Sequence, residues 1–268
     1  MAGPVIAVFD SGVGGLSVAA EIAQLLPGAG LAYICDNGFF PYGTKEEAAL
    51  VERVDQVVTR AVEAIRPDAV VVACNTASTV ALPRLRDHLG IPVVGVVPAV
   101  KPAAAQSARR VIGLLGTAGT VRRAYTQELI DRFAADCTVL RVGSVALVEM
   151  AEALLAGEAP DPAAIGRELA PFFDRPAAEQ PDIVVLACTH FPLLAGQLQA
   201  AAPQGTAFID SGRAVAERVR SVLGDAGGPP PPPPPHRVYF TRDDAGLRRR
   251  LPGFAARGFA SIAFSFED

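Results

Sequence analysis

The 268-residue sequence has no CxxC pair and no His-rich ligand spacing; its four cysteines, Cys35, Cys74, Cys137 and Cys188, lie far apart, and it has only three histidines. Nothing there assembles a structural zinc site, and no metal is expected. A Gly-Lys-Ser/Thr segment is also missing, which excludes a P-loop. There is no Lys/Arg stripe interleaved with aromatics, and 24 basic against 28 acidic residues give a formal charge of −4. Nucleic acid is therefore not an expected partner. No apolar run reaches the roughly 18 residues that a membrane span requires. The first apolar segment, entered at Val5, follows neither a basic n-region nor a cleavage site, so a cytoplasmic protein with no membrane partner is expected. In that compartment disulfides are disfavoured, and each cysteine is either a small core residue or a reactive thiol.

What is present is apolar content of 50%, enough at this length for one large α/β domain or two smaller ones. Short apolar runs (Val5 to Phe9, Leu31 to Ile34, Ala69 to Ala73) alternate with helix-like segments (Leu16 to Leu26, Lys45 to Ile65). That alternation is the grammar of βα units around a parallel sheet with both faces covered. Thr44, ahead of Lys45-Glu46-Glu47, is a candidate cap for the second of these helices. The grammar returns in Val111 to Thr117, Thr138 to Val142 and Asp182 to Cys188.

A matched pair of strand ends is more specific. Val71-Val72-Ala73-Cys74-Asn75-Thr76 and Val185-Leu186-Ala187-Cys188-Thr189-His190 each close an apolar strand in Ala-Cys followed by two polar residues, and the Asp10-Ser11-Gly12 loop is echoed by Gly116-Thr117. We read an internal duplication: an α/β fold of two pseudo-symmetric lobes with parallel sheets and an active site in the cleft between them. The first lobe comprises residues 1–95 plus 209–268, and the second residues 96–208. The tail returns through a helical stretch from Arg213 to Leu223 and two strands around Val238-Tyr239-Phe240 and Ile262-Ala263-Phe264. The proline run 229–235 reads as an extended, exposed linker.

Each candidate site residue has an ordinary alternative. Asp10-Ser11-Gly12-Val13-Gly14-Gly15 can present backbone N–H groups to an anion at a helix N-terminus, or be only a tight connection; Ser17 stands where a dinucleotide fingerprint wants glycine. Any one of the cysteines can be a buried small hydrophobe. Two at duplicated strand carboxyl ends, each beside hydrogen-bonding side chains, sit where α/β proteins place ligands, whereas Cys35 and Cys137 lack that context and read as structural. His190 can shuttle a proton of Cys188 or stabilise its thiolate, and Asp10 can do the same for Cys74 or simply cap its helix. His88 and His236 read as solvated. Phe40-Pro41-Tyr42-Gly43-Thr44 is either a plain turn or a loop closing over the site with backbone donors and the Tyr42 ring. Glu149 is an auxiliary acid or an exposed helix residue.

Together, Asp10 to Leu16, Pro41-Tyr42-Gly43, Ala73-Cys74-Asn75-Thr76-Ala77-Ser78, Gly116-Thr117 and Cys188-Thr189-His190-Phe191-Pro192-Leu193-Leu194 resemble the glutamate racemase family, in order and at family-like spacing, from Val5 to about Leu223. The Cys-Asn-Thr and Cys-Thr-His segments are shared with the wider aspartate/glutamate racemase superfamily, and the two loops narrow the resemblance to glutamate. It implies catalysis by Cys74 and Cys188 without pyridoxal phosphate or any other cofactor. It also implies L- or D-glutamate held by Asp10, Ser11, Pro41, Tyr42, Gly43, Asn75, Thr76, Thr117, Thr189 and His190, and a role in supplying D-glutamate for peptidoglycan. A homodimer is expected. Two segments depart from the family pattern: Val97-Pro98-Ala99-Val100-Lys101-Pro102, which bears on lobe packing, and Arg122-Arg123, which bears on the pocket rim or a subunit interface.

The residue types suit the chemistry. Inverting an α-carbon needs an acid/base group on each face. A thiol, with an ordinary pKa of about 8.5, serves on either side once its surroundings hold one cysteine as thiolate and the other as thiol. Without an electron sink the developing carbanion needs hydrogen bonds in a water-poor site, for which Asn75, Thr76, Thr117 and Thr189 are candidates. A cysteine hydrolase or amidotransferase using Cys188 and His190 leaves Cys74 without a role and lacks a glycine-flanked nucleophile elbow. A non-catalytic anion-binding module leaves both cysteines as packing. Among racemases, aspartate or a broader substrate range is the alternative.

Overall fold

The computed structural model describes residues 3–224 and 233–263, with the backbone alone for 261–263. Of the proline run, 229–232 lie outside the described residues. Two sheets, parallel throughout, carry the chain.

The first sheet is ordered β10-β9-β2-β1-β3-β4, from β1 (Val5–Asp10), β2 (Gly30–Cys35), β3 (Ala69–Val72), β4 (Val93–Gly95), β9 (Arg237–Phe240) and β10 (Ala260–Ala263). The second is ordered β6-β5-β7-β8, from β5 (Val111–Gly116), β6 (Thr138–Gly143), β7 (Ile183–Leu186) and β8 (Ala207–Ile209). The order of the second repeats the run β2-β1-β3-β4 of the first, so β3 and β7, which precede Cys74 and Cys188, are equivalent. β8 carries Ile209 in the second sheet, so the chain leaves that sheet only at Asp210.

Helices cover both faces because the strands are apolar on both sides. Val5 to Asp10 is buried almost throughout, as is Val111 to Gly116. On one face of the first sheet lie α1 (Leu16–Leu25), α10 (Gly212–Leu223) and α11 (Ala245–Ala255), in a core with Ile6, Val8, Ile22, Val219 and Phe254. On the other lie α2 (Glu47–Ile65) and α3 (Asn75–His88), closed by Phe9, Val54, Val72 and Leu85. The second sheet is flanked by α7 (Ala146–Leu155), α8 (Pro162–Phe173) and α9 (Ala195–Ala201) on one side, and by α4 (Val100–Gln106), α5 (Ala118–Arg122) and α6 (Ala124–Phe133) on the other.

Two local expectations are corrected, and two strands are added. Thr44 does not cap α2; it closes a short 3-10 turn, Tyr42–Thr44, donating to the Pro41 carbonyl, and the helix begins only after Glu46. His236 is half-buried rather than solvated, with Nδ1 accepting the Leu31 N–H at 3.1 Å. β4 and β8, three residues each, carry too short an apolar pattern to stand out in the sequence.

In both sheets the strand order reverses at equivalent places, between β1 and β3 and between β5 and β7. Ligands in open α/β sheets bind at such switch points, beyond the strand carboxyl ends. Asp10 ends β1 and Cys74 follows β3; Gly116 ends β5 and Cys188 follows β7. The two switch points face each other.

Candidate active site

Cys74 is the residue from which α3 springs, and its sulfur faces the Ser11 hydroxyl at 3.8 Å. Burial, reinforced by the charges of Asp10 and Cys188, pushes the thiol up to about 12, against the opposing pull of the Ala77 N–H and Ser11. Cys74 is thus held as a thiol, the form that donates a proton.

Cys188 sits in a different electrostatic setting. His190 places Nδ1 3.7 Å from its sulfur and Nε2 2.8 Å from Glu152 Oε1. Burial works against the imidazolium, but hydrogen bonds and charge from Cys188 and Glu152 outweigh it and hold His190 well above its ordinary value. The Glu152 carboxyl is likewise pushed up by burial and pulled down further by His190, Arg250 and the Val13 N–H, ending below its ordinary value. The two are an imidazolium–carboxylate pair, and a cationic donor beside a sulfur stabilises negative charge developing there.

The helical carboxylate at the site is therefore Glu152, and Glu149 is corrected to an exposed position on α7. The cause is helix geometry. Leu147, Val148, Ala151 and Leu155 form the buried stripe of α7, Glu152 falls on that stripe, and Glu149 points away from it. An acidic residue on the apolar face was the sequence signal for Glu152, since buried glutamate is rare unless paired.

Asp10 is fully buried. It accepts from the Gly12 N–H at 2.7 Å and the Thr189 hydroxyl at 3.1 Å, tying the first lobe's glycine loop to the Cys188 strand end. Burial raises its pKa, with His190 the main opposing influence. Because its charge disfavours a Cys74 thiolate, Asp10 keeps Cys74 protonated rather than stabilising its anion. The same loop needs glycine for close approach: a Cβ at Gly14 would stand 2.4 Å from His190 Nδ1, and one at Gly12 2.2 Å from Glu152 Oε1.

Both cysteines line one cavity, together with Ser11, Pro41, Tyr42, Gly43, Asn75, Thr76, Thr117, Thr189 and His190. Asp10, fully buried, does not line it. Phe40, Thr44, Val145 and Val148 also line it, and the sequence did not single out the two valines. The Tyr42 ring borders the cavity while its hydroxyl donates at 2.6 Å to Asp36. Buried Asp36 also binds Arg53 at 2.7 and 2.9 Å and the Thr241 hydroxyl at 2.6 Å, so the loop is fixed from behind by β2, α2 and the C-terminal return. Thr76, Thr117 and Thr120 bring their hydroxyls within 3.0–3.4 Å of one another, across the lobes. Asn75 Oδ1 is buried with no hydrogen-bond partner among the described residues. The cavity holds about 30 Å³, room for one or a few water molecules.

Of the departures from the family pattern, Arg123 reaches from the second lobe to the Thr76 carbonyl at 3.1 Å and the Thr79 hydroxyl at 2.9 Å, behind the cavity, while Arg122 is exposed. The Val97 carbonyl accepts from Ser211, fastening the segment between the sheets to the start of α10. Cys35 is buried against the Gly12 carbonyl at 3.3 Å and Cys137 is partly exposed beside Asp136; neither lines the cavity. Among the described residues no group of three or more His, Cys, Asp or Glu side chains is placed to hold a metal ion, and no helix is long and apolar enough to cross a membrane.

Two duplicated α/β lobes that present one cysteine each to a shared cavity define a class. The chain belongs to the Asp/Glu/Hydantoin racemase family, which matches residues 10–219. Relatives within it include glutamate racemases. That of Pectobacterium atrosepticum is 47% identical over 259 residues, 97% of this chain and 90% of its own. The crystal structure of Escherichia coli glutamate racemase in complex with L-glutamate and the activator UDP-MurNAc-Ala superposes with a TM-score of 0.92 at 46% identity, covering 97% of each chain. The Thermus thermophilus glutamate racemase structure, in complex with β-chloro-D-alanine, gives a TM-score of 0.76 at 31% identity, covering 99% of this chain and 98% of that one. The activity is accordingly that of an isomerase interconverting the enantiomers of glutamate, a small-molecule substrate.

Proposed function

We propose that Cys74 and Cys188 are the two acid/base groups of this racemisation. Cys188 as thiolate removes the α-proton of L-glutamate, and Cys74 as thiol delivers its own proton to the opposite face, leaving a Cys188 thiol, a Cys74 thiolate and D-glutamate. The reverse reaction uses the complementary protonation states. The observation that carries this reading is that two sulfurs at equivalent strand ends line one cavity in opposite settings, one held as thiol, the other beside an imidazolium.

The α-carboxylate, on which charge develops, takes donors from the first turn of α3 at Asn75 and Thr76 and from Thr117 and Thr189. Asn75 Oδ1, unpartnered in the cavity wall, accepts from the α-ammonium group. The lobes enclose the substrate between them and keep water from the reacting carbon. The same reading makes the protein a cytoplasmic homodimer supplying D-glutamate for peptidoglycan.

Racemisation in deuterated water tests it. Product D-glutamate formed early from L-glutamate carries deuterium at the α-carbon while the remaining L-glutamate stays largely protiated. Product that keeps its original α-proton would mean that one group carries that proton between faces, and the two-cysteine assignment falls.

A further inference from the structure

Glu152 stands where the two lobes meet. Its Oε1 accepts from His190 Nε2 at 2.8 Å, within its own lobe, and from the Val13 N–H at 2.9 Å, in the glycine loop of the other. Its Oε2 is taken by Arg250, which reaches across from α11 in the C-terminal return of the first lobe. This ion pair is largely withdrawn from water, the side chains being 14% and 9% exposed. Arg250 is itself tethered, its Nε donating to the Gly246 carbonyl one turn back at 3.1 Å.

From this arrangement we propose that Arg250 is a positioning residue for the racemase: by clamping Oε2 it fixes the Glu152 carboxylate so that Oε1 faces His190, and thereby sets how His190 Nδ1 meets Cys188. A carboxylate held only through Oε1 can swing about its last side-chain bond. Held at both oxygens from both lobes, it cannot turn without breaking a buried ion pair. The guanidinium suits this task because its planar fork leaves one N–H direction for Gly246 and another for Glu152, which a lysine ammonium cannot reproduce. The C-terminal helix, far along the chain from either cysteine, is in this way part of the machinery on the Cys188 side alone.

The inference rests on the proposed division of labour between the cysteines, and the test separates the two. Enantiomers have equal free energy in water, so kcat/KM for L- and D-glutamate falls by the same factor in any variant and cannot report which side is impaired. Primary isotope effects on kcat/KM, measured with α-deuterated L- and D-glutamate, can. If Arg250→Met slows only the steps through Cys188, proton removal from L-glutamate becomes more rate-limiting and its isotope effect rises. For D-glutamate the final protonation becomes limiting, and the isotope effect falls. The expected result is a kcat/KM lower by about 10-fold or more, the order expected when a buried charged group loses one of its hydrogen bonds, with the two isotope effects moving apart. Arg250→Lys keeps the charge and the seating of α11 and should show the same divergence more weakly.

Isotope effects that stay at wild-type values, or that shift together, in folded Arg250→Met and Arg250→Lys protein would overturn the proposal. Should Arg250→Met fail to fold, Arg250→Lys decides by the same criterion. Divergence in the opposite sense supports the role of Arg250 and reverses instead the assignment of the cysteines to the enantiomers.

Discussion

His190 donates to Glu152 across 2.8 Å in a setting where both side chains are almost fully buried. A neutral imidazole could accept a proton in that position, but the pair shifts in opposite directions, His190 up and Glu152 down, which is the signature of a charged pair. Its pH dependence follows from those directions. The His190 contribution to stability is complete below the unfolded value of 6.5 and is lost as pH rises through the raised folded value. The Glu152 contribution is complete above its unfolded value of 4.5 and is lost as pH falls through the depressed folded value. Glu152→Gln should therefore cost most between about pH 4.5 and 6.5. The cost there should be about 3–5 kcal/mol, because His190 and Arg250 lose a buried partner. Urea denaturation of both proteins across pH checks this; a cost that keeps growing into alkaline solution contradicts the charged pair.

The two cysteines should also differ as nucleophiles. With its thiol pushed up to about 12, Cys74 is overwhelmingly protonated at pH 8. Cys188 has a cationic donor beside it. In ligand-free protein, iodoacetamide followed by peptide mapping should modify Cys188 before Cys74, the latter gaining reactivity only in strongly alkaline solution. Because Cys137 is partly exposed, the measurement is best made in Cys137→Ser protein. Faster alkylation of Cys74 would contradict its being held as a thiol.

Much of this site was legible in the sequence because it is built from repeats of a simple kind. Apolar strands ending in Ala73-Cys74 and Ala187-Cys188 declare their own carboxyl ends, and a parallel sheet puts such ends in the crevice. What was not legible depends on contacts between residues remote in the chain. Asp36 has no local pattern that announces Tyr42, Arg53 and Thr241 as partners. Glu149, which the sequence put forward, and Glu152, which it did not, lie three positions apart on α7, and only the helical phase decides which of them is buried. Arg250, one of three consecutive arginines, is distinguished from Arg248 and Arg249 by where α11 docks, and Arg248 and Arg249 pair instead with exposed Asp243 and Glu158.

The glycine loop offers a test of close packing against the catalytic side chains. A Cβ at Gly14 would meet His190 Nδ1 at 2.4 Å and the His190 backbone nitrogen at 2.8 Å, so the strand end as well as the ring would have to move. Gly14→Ala should cost about 1–3 kcal/mol of stability through overpacking. It should lower kcat further in the fraction that folds. Gly196, within α9, has open space where a Cβ would go, and Gly196→Ala should stabilise by up to about 1 kcal/mol with unchanged turnover. Equal effects at the two positions would refute the packing argument.

Single-cysteine variants test the assignment of each sulfur to one enantiomer. Cys74→Ala and Cys188→Ala each remove one of two obligatory proton carriers, so racemisation in both directions should fall by about 10²–10⁴-fold or more, while glutamate binding survives better. A cysteine that only packs would behave otherwise, since trimming it costs modest stability and leaves most turnover in the folded fraction. The remaining cysteine still faces the α-carbon from its own side. Cys74→Ala, retaining Cys188 with His190, should exchange the α-proton of L-glutamate with deuterated water without inverting it, and leave D-glutamate untouched. Cys188→Ala should exchange D-glutamate alone, and more slowly, because Cys74 must first give up a tightly held proton. Proton NMR of each pure enantiomer incubated with each variant reads this directly. If either variant exchanged both enantiomers at similar rates, a group other than the missing cysteine would be reaching the opposite face, and the pairing of Cys188 with L-glutamate and Cys74 with D-glutamate would be wrong.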